Sequence, residues 1–320
     1  MVVLTNQNEA VEMRKVYVST MIELARADER VVALDCDLMS PIGMMPFKKE
    51  FPDRAIDCGI MEATMAGVAA GMSVRGCIPF THTFACYQSR KTLDQLFLTA
   101  GFSQANVKTI GSDPGILALY NGASHMGLED MGVLMNIPNI TLIEPCDAVA
   151  LEAVIRQIKD IYGLHYVRMN RKDAEPVYDK STEFTLGKGL VLREGSDVTL
   201  IASGLMVKEA IKAADLLELE GISAKVVDIF TWKPIDEQLI INCAHETGAI
   251  VTAENHRIST GLGSAVANIL VEKYLVPLER IGIGDEYGEV GTLEYLMKRF
   301  DLTAEDIVIK AKKAIGRKTD

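Results

Sequence analysis

The sequence predicts an α/β protein with two domains, each a mainly parallel sheet flanked by helices. Short, continuously apolar segments alternate with longer periodic ones along the whole chain, which is typical of strands and helices in βαβ units. The apolar segments lack a polar face, as expected of strands that helices cover on both sides. A chain of 320 residues is also long enough for two ordinary cores.

One polar stretch predicts the domain boundary. Residues 171–190 are rich in charged and turn-forming side chains. We therefore expect a first domain at 1–178, a linker at 179–190 and a second domain at 191–320.

The first domain is expected to begin with a helix over roughly 8–28, because apolar side chains recur there at helical spacing. Apolar runs then predict strands at 31–34, 55–59, 77–80, 107–111, 140–144 and 165–169. The intervening segments predict helices around 47–51, after Glu62, at 84–102 and from Asp147 to about Tyr162.

The second domain repeats this alternation. Its strands are predicted at 198–202, 224–229, 249–254 and 280–283. Its helices are predicted near 205–220, 236–245, 261–275, 290–300 and 303–315.

Composition excludes several classes of function. A formal charge of −11 argues against nucleic acid as a partner. No apolar run approaches the ~20 residues that span a bilayer, and the N-terminal residues lack the pattern of a signal peptide. The six cysteines are scattered without a CxxC pair. We therefore expect buried thiols in the cytoplasm, and we expect no metal ligands in this chain.

Polar side chains cluster at or just after the predicted strand ends. Ligands of parallel sheets bind beyond the carboxyl ends of the strands, so this clustering predicts a single site. The positions are 35–40, Glu62, 83–87, Asp113, His125 and 168–171.

Glu62 stands out within this set, since no other acidic residue lies between Asp57 and Asp94. Burying its carboxylate among small apolar residues costs free energy unless a partner is present. Phe84 and Tyr87 are three residues apart and therefore share one helical face. A carboxylate beside two aromatic rings predicts recognition of a flat heteroaromatic ring.

Several motifs occur in order at matching spacing, and with them the chain resembles the second half of thiamine diphosphate-dependent transketolases. The resemblance covers essentially all 320 residues. The motifs are Gly59-Ile60-Met61-Glu62, Pro79-Phe80, Thr83-Phe84-Ala85-Cys86-Tyr87, Arg90, Gly122-Ala123-Ser124-His125-Met126-Gly127-Leu128-Glu129-Asp130, Pro138-Asn139, Pro145-Cys146-Asp147 and Arg168-Met169-Asn170-Arg171.

The resemblance implies a cofactor-binding set. Glu62 is expected to activate the aminopyrimidine of thiamine diphosphate through a hydrogen bond. Phe84 is expected to stack on the pyrimidine, and Tyr87 to border the same pocket. The remaining members are Asp37 beside the thiazolium, Leu38 as the apolar wedge under the cofactor, and Arg90, which either organises this wall or forms an ordinary ion pair.

The resemblance also implies a substrate-binding set. His125 matches the position that contacts substrate oxygens, with a catalytic role. Arg171 matches the phosphate-binding arginine, and Arg168 is a second candidate. Asp113 and Asn121 replace a histidine and an aspartate of standard transketolases, and Ser40 adjoins a proline that replaces a serine. These departures predict ketol transfer with a modified sugar phosphate or a sulfosugar.

The chain has no Gly-Asp-Gly motif, which the other half of the family uses to hold the diphosphate and a divalent ion. The resemblance therefore implies the C-terminal subunit of a split transketolase. An N-terminal partner subunit with the Gly-Asp-Gly motif is expected to hold the diphosphate and Mg²⁺ or Ca²⁺, in a two-plus-two heterotetramer.

Three alternative functions stay open at this point. The chain could be the beta subunit of a 2-oxo acid dehydrogenase, which has the same fold and cofactor. It could be a fragment similar to deoxyxylulose phosphate synthase. It could also be a non-catalytic assembly subunit, although the intact Glu62 and Phe84 argue against this.

Overall fold

The computed structural model describes residues 4–5 and 9–318. The strands within these residues are β1 Val11–Glu12, β2 Val31–Asp35, β3 Ala55–Asp57, β4 Ile78–Phe84, β5 Lys108–Ser112, β6 Thr141–Ile143, β7 His165–Met169, β8 Asp173–Ala174, β9 Leu190–Arg193, β10 Val198–Ala202, β11 Ala224–Asp228, β12 Thr231–Lys233, β13 Ile250–Arg257 and β14 Leu278–Ile283.

Helices cover about half of the remaining described chain. They are α1 Met13–Ala27, α2 Met39–Ile42, α3 Met45–Glu50, α4 Glu62–Val74, α5 Ala85–Arg90, α6 Leu93–Gln95, α7 Asp130–Leu134, α8 Ala148–Asp160, α9 Met206–Leu219, α10 Glu237–Thr247, α11 Leu262–Lys273, α12 Leu293–Arg299 and α13 Ala304–Ile315. Short 3-10 helices cover Pro52–Arg54 and Gly115–Asn121, and a π-helix covers Leu96–Phe102.

The first sheet has the strand order β12-β6-β7-β5-β4-β2-β3 and is parallel except for β12. Phe84 of β4 pairs with Ser112 of β5, and Ser112 pairs with Met169 of β7. The three central strands therefore end level with one another. The loops that follow these strands meet at one edge of the sheet.

The second sheet has the order β14-β13-β10-β11-β9, with β9 antiparallel to its neighbour. The two halves of the chain are not fully separate, because β12 follows β11 in sequence yet pairs with β6 of the first sheet. Two sheets of mainly parallel strands confirm the predicted fold class. The boundaries at 178 and 191 stay a prediction.

Helix starts are fixed by local side-chain chemistry. The carboxylate of Asp147 accepts the Ala150 N–H and caps α8, and Asp236 accepts the Leu239 N–H and caps α10. Thr303 and Asp306 form a capping box at the start of α13.

The largest difference from the predicted elements lies at 84–102, where one continuous helix was expected. Strand β4 continues to Phe84 because the whole of Ile78–Phe84 is buried between β2 and β5. Helical structure follows in three pieces, α5, α6 and the π-helix. The helix expected over 8–28 covers Met13–Ala27, and residue 8 lies outside the described residues.

Over residues 4–5 and 9–318, no helix combines the length and the hydropathy that crossing a membrane requires.

Candidate active site

The aromatic side chains Phe84, Tyr87 and His125 pack together where β4 ends. The ring of Phe84 lies 5.3 Å from that of His125 and 6.1 Å from that of Tyr87, both edge to face. The Tyr87 hydroxyl is 3.1 Å from His125 Nε2, and Ser124 Oγ is 2.9 Å from His125 Nδ1. The three rings form a rigid wall, which we call the aromatic wall.

Arg90 holds the loop that carries His125. Its guanidinium pairs with Glu129 and donates to the carbonyls of Ser124 at 3.1 Å and Met126 at 2.9 Å. The hydrogen bond to Glu129 raises the pKa of Arg90. Gly127 allows the close approach of this loop, since an added Cβ would lie 2.9 Å from the Cys86 nitrogen. Arg90 thus forms an ion pair and also binds the loop of His125, and its role toward a cofactor stays a prediction.

Glu62 is the first residue of α4, and its side chain is only 4% exposed. Lys91 Nζ lies 2.9 Å from Oε1 and 3.0 Å from Oε2 of this carboxylate. The same ammonium lies 4.0 Å from the centre of the Tyr87 ring. Lys91 therefore joins Glu62 to the aromatic wall, although no sequence pattern indicated it.

Asp113 and Arg171 form an ion pair of 2.8 Å beside Phe84. The Arg171 guanidinium lies 5.5 Å from the centre of the Phe84 ring. Asp113 Oδ1 and Arg171 Nε are buried and have no hydrogen-bond partner among the described residues. Burial raises the pKa of Asp113, and the charge of Arg171 opposes this. The pair thus presents an unused acceptor and an unused donor.

A buried network that sequence reasoning did not identify supports the turn after β2. His82 Nδ1 lies 2.7 Å from Asp35 Oδ2, and His82 Nε2 lies 3.0 Å from Ser112 Oγ. Asp35 Oδ1 accepts the Leu38 N–H at 2.6 Å. His82 lies beyond the strand predicted at 77–80, so the sequence did not show that this histidine would be buried and would require polar partners.

Arg168 has a different role from the one considered for it. Its side chain is fully buried and pairs with Asp130 and Glu144. It also donates to the carbonyl of Asn255 at 2.8 Å, across to the second domain. Because these partners bind the guanidinium in the interior, Arg168 is not available to a substrate, and that prediction was wrong.

Two family models match this chain. The model described as "Transketolase, pyrimidine binding domain" matches residues 9–176. The model described as "Transketolase, C-terminal domain" matches residues 187–307. The chain belongs to the transketolase family.

Known relatives match this transketolase chain nearly end to end. The 6-deoxy-6-sulfo-D-fructose transketolase subunit SqwH of Clostridium sp. (strain MSTE9) is 46% identical over 306 residues, covering 96% of this chain and 95% of the relative. An apulose-4-phosphate transketolase subunit of Phocaeicola vulgatus is 35% identical over 301 residues, covering 94% of this chain and 96% of the relative.

A solved structure, titled "Split gene transketolase, inactive beta4 tetramer", has a TM-score of 0.88 and 36% identity, and covers 98% of this chain and 100% of that chain. The chain is therefore a transketolase C-terminal subunit and a transferase, and its family implies thiamine diphosphate. The three alternative functions are not favoured.

The described residues fit an aminopyrimidine ring. The aromatic wall supplies ring faces and edges, and Glu62 is a buried carboxylate whose side-chain hydrogen bonds within residues 9–318 come from Lys91 alone. Over the same residues, no three His, Cys, Asp or Glu side chains are placed to hold a metal ion.

The remaining predicted site residues of this transketolase chain have fewer contacts with the aromatic wall. They are Asp37, Leu38, Ser40 and Asn121. Asp37 is exposed with φ of +60°, and its N–H donates to Asp57 Oδ1 at 2.9 Å. Leu38 is half-buried, and Ser40 and Asn121 are exposed. In the described part of the chain, no side-chain hydrogen bond or ring contact joins Ser40 or Asn121 to the aromatic wall. Their roles stay predictions.

Proposed function

We propose that this subunit works with an N-terminal partner to transfer a two-carbon ketol unit from an anionic ketose to an aldose. The observation that carries the proposal is a buried carboxylate, Glu62, next to the aromatic wall. Bound thiamine diphosphate supplies the carbon nucleophile and the electron sink for such a transfer. The protein's part is to bind, orient and exchange protons.

The positions of the side chains support the proposed cofactor contacts. Glu62 would hydrogen-bond a ring nitrogen of the pyrimidine, and the cofactor held in this way would supply its own base. Phe84 and Tyr87 border the ring, and Arg90 keeps the loop of His125 in place. Asp37 and Leu38 lie on the turn that Asp35 supports, and we assign them to the thiazolium side.

The proposed substrate contacts come from His125 and Arg171, which both lie near the Phe84 ring. Tyr87 and Ser124 orient the His125 ring through its two nitrogens, and a substrate oxygen would replace one of these two partners. Arg171 binds the distal anionic group, and Asp113 accepts a hydroxyl through its unpaired oxygen. Asn121 and Ser40 are assigned to the outer rim, in keeping with their exposure.

We propose a sulfosugar as the donor, with a phosphosugar as the second candidate. The relative with 46% identity is named for 6-deoxy-6-sulfo-D-fructose, and the one with 35% identity for apulose 4-phosphate. A planar guanidinium binds either tetrahedral oxyanion with two hydrogen bonds.

We further propose that the partner carries the Gly-Asp-Gly motif, the diphosphate site and the divalent ion, in a two-plus-two assembly. The outward face of α4 is suited to the contact. An added Cβ at Gly67 or Gly71 would meet no described atom within 4 Å. Ile60 at 70% exposure and Met61 adjoin this face. All six cysteines are free, which agrees with the proposed cytoplasmic location.

Co-expression with the adjacent reading frame, which we expect to encode the Gly-Asp-Gly partner, tests this proposal. The purified complex should bind thiamine diphosphate, and the isolated chain should bind it poorly. The complex should consume 6-deoxy-6-sulfofructose in the presence of an aldose acceptor. A preference for xylulose 5-phosphate with ribose 5-phosphate would refute the proposed substrate.

A Glu62→Ala variant of the complex checks the role of the carboxylate. Loss of a positioned acid–base group should lower turnover by about 10²- to 10⁴-fold. Glu50→Ala, which removes an exposed carboxylate paired with Arg26, is the matched control and should keep full activity. Equal activity of the two variants would contradict the role of Glu62.

A further inference from the structure

Lys91 forms an ion pair with Glu62, the carboxylate that we assign to the cofactor. One ammonium spans both oxygens of Glu62, at 2.9 and 3.0 Å. Among the residues that the structure describes, the side-chain hydrogen bonds of Glu62 come from this lysine alone. A buried carboxylate without a counter-ion is costly, so the ion pair with Lys91 offsets the cost of burying Glu62.

The two partners differ in exposure. The Glu62 side chain is 4% exposed and belongs to the first turn of α4. The Lys91 side chain is 41% exposed and follows the last residue of α5. Its ammonium also lies over the Tyr87 ring. Lys91 can therefore turn toward solvent along the face of Tyr87, whereas Glu62 has to stay in place.

We propose that Lys91 is a positioning residue that holds the Glu62 carboxylate through an ion pair and releases it when the pyrimidine ring binds. The inference rests on the proposed function, since it takes Glu62 as the ligand of that ring. A hydrogen bond from Glu62 to a ring nitrogen replaces the ion pair. Cofactor binding then includes the cost of separating Lys91 from Glu62.

The affinity of the assembled enzyme for thiamine diphosphate shows whether separating Lys91 from Glu62 weakens cofactor binding. Lys91→Met keeps the apolar stem over Tyr87 and removes the competing charge. Isothermal titration of the complex should give a Kd for thiamine diphosphate about five-fold lower than wild type, the size expected for a partly exposed ion pair. Lys91→Arg keeps the charge and should bind within about two-fold of wild type.

Lys212→Met is the matched control. Lys212 is 45% exposed and pairs with Glu209 on α9 of the second domain. This variant should leave the Kd unchanged. A Lys91→Met complex with wild-type or weaker affinity would overturn the inference.

A second measurement needs neither cofactor nor partner. In the isolated chain, an amine-acylating reagent followed by peptide mass spectrometry should label Lys91 several-fold faster in Glu62→Gln than in wild type. Lys212 serves as the internal reference and should react equally in both. Equal labelling of Lys91 would show that the pair does not form in solution and would overturn the inference.

The possible outcomes distinguish a failure of the proposed function from a failure of the inference about Lys91. A wild-type complex that binds no thiamine diphosphate overturns both the proposed function and this inference. A complex that binds it, loses activity in Glu62→Ala and shows no change in Lys91→Met overturns only the role of Lys91.

Discussion

At the scale of single residues, the site is organised by pairs of opposite charge. Lys91 holds Glu62, Arg171 holds Asp113, and Arg90 holds Glu129. The sequence indicates Glu62 because it is isolated among apolar residues. It does not indicate Lys91, since the two residues are 29 positions apart and meet only in the folded chain, where the start of α4 lies near the residue after α5.

Arg171 leads to a prediction about substrate charge. In an Asp113→Asn background, Arg171→Gln should raise KM for an anionic ketose donor by about ten-fold or more, because a charged hydrogen bond is lost. The background variant avoids leaving a buried carboxylate without its partner. The value of kcat should change less.

Steady-state kinetics with a sulfonated and an uncharged ketose check this prediction. The KM of the uncharged donor is the control and should not change. An equal effect on both donors would place Arg171 in a structural role.

At the scale of elements, sheet register positions the site. Phe84, Ser112 and Met169 lie level in three adjacent strands, so the loops after β4, β5 and β7 meet. The sequence predicts the strands but not the end of β4. Burial on both faces extends β4 to Phe84 against the helical spacing of Phe84 and Tyr87. For that reason the single helix expected at 84–102 does not form.

Helix α4 allows a test of assembly. Gly71→Leu should leave the isolated chain folded, because the added side chain points into open space and glycine is a poor helix former. The same side chain should weaken association with the partner by about ten-fold or more, as bulk in a closely packed contact does.

Analytical ultracentrifugation of the co-purified subunits measures this association, and thermal unfolding checks the isolated chain. Ile309→Lys, on the exposed face of α13, is the control and should assemble normally. Normal assembly of Gly71→Leu would exclude this face of α4 from the interface.

At the scale of the whole molecule, buried polar groups join the two halves. Arg168 and Glu144 lie on the first half, and Asn255 and Ser203 on the second. His256 completes this contact, since its Nε2 accepts the Gly132 N–H at 3.3 Å and its Nδ1 donates to the Arg257 carbonyl at 3.0 Å. These two bonds require the neutral ring, and burial lowers the pKa of His256 to about 4.

His256 predicts a loss of stability in acid. Between pH 6.5 and about 4 the unfolded chain binds a proton at this position and the folded chain does not. The free energy of unfolding should therefore fall as pH drops through that window, by roughly 3 kcal/mol from this group. His256→Asn should remove this part of the pH dependence.

Urea unfolding at several pH values from 4.5 to 7.5 measures the effect. His245→Asn, at an exposed position on α10, is the control and should keep the wild-type slope. If the free energy of unfolding falls equally with pH in His256→Asn and wild type, His256 is not the source of the acid sensitivity.

The sequence by itself determined the fold class, most strands and the main site candidates, because hydrophobic periodicity and isolated polar residues are local properties. Only the tertiary structure decided which charges are paired. It placed Lys91 on Glu62, Asp113 on Arg171 and Arg168 between the halves. Ion pairs between distant residues depend on packing and desolvation, which the order of residues along the chain does not specify.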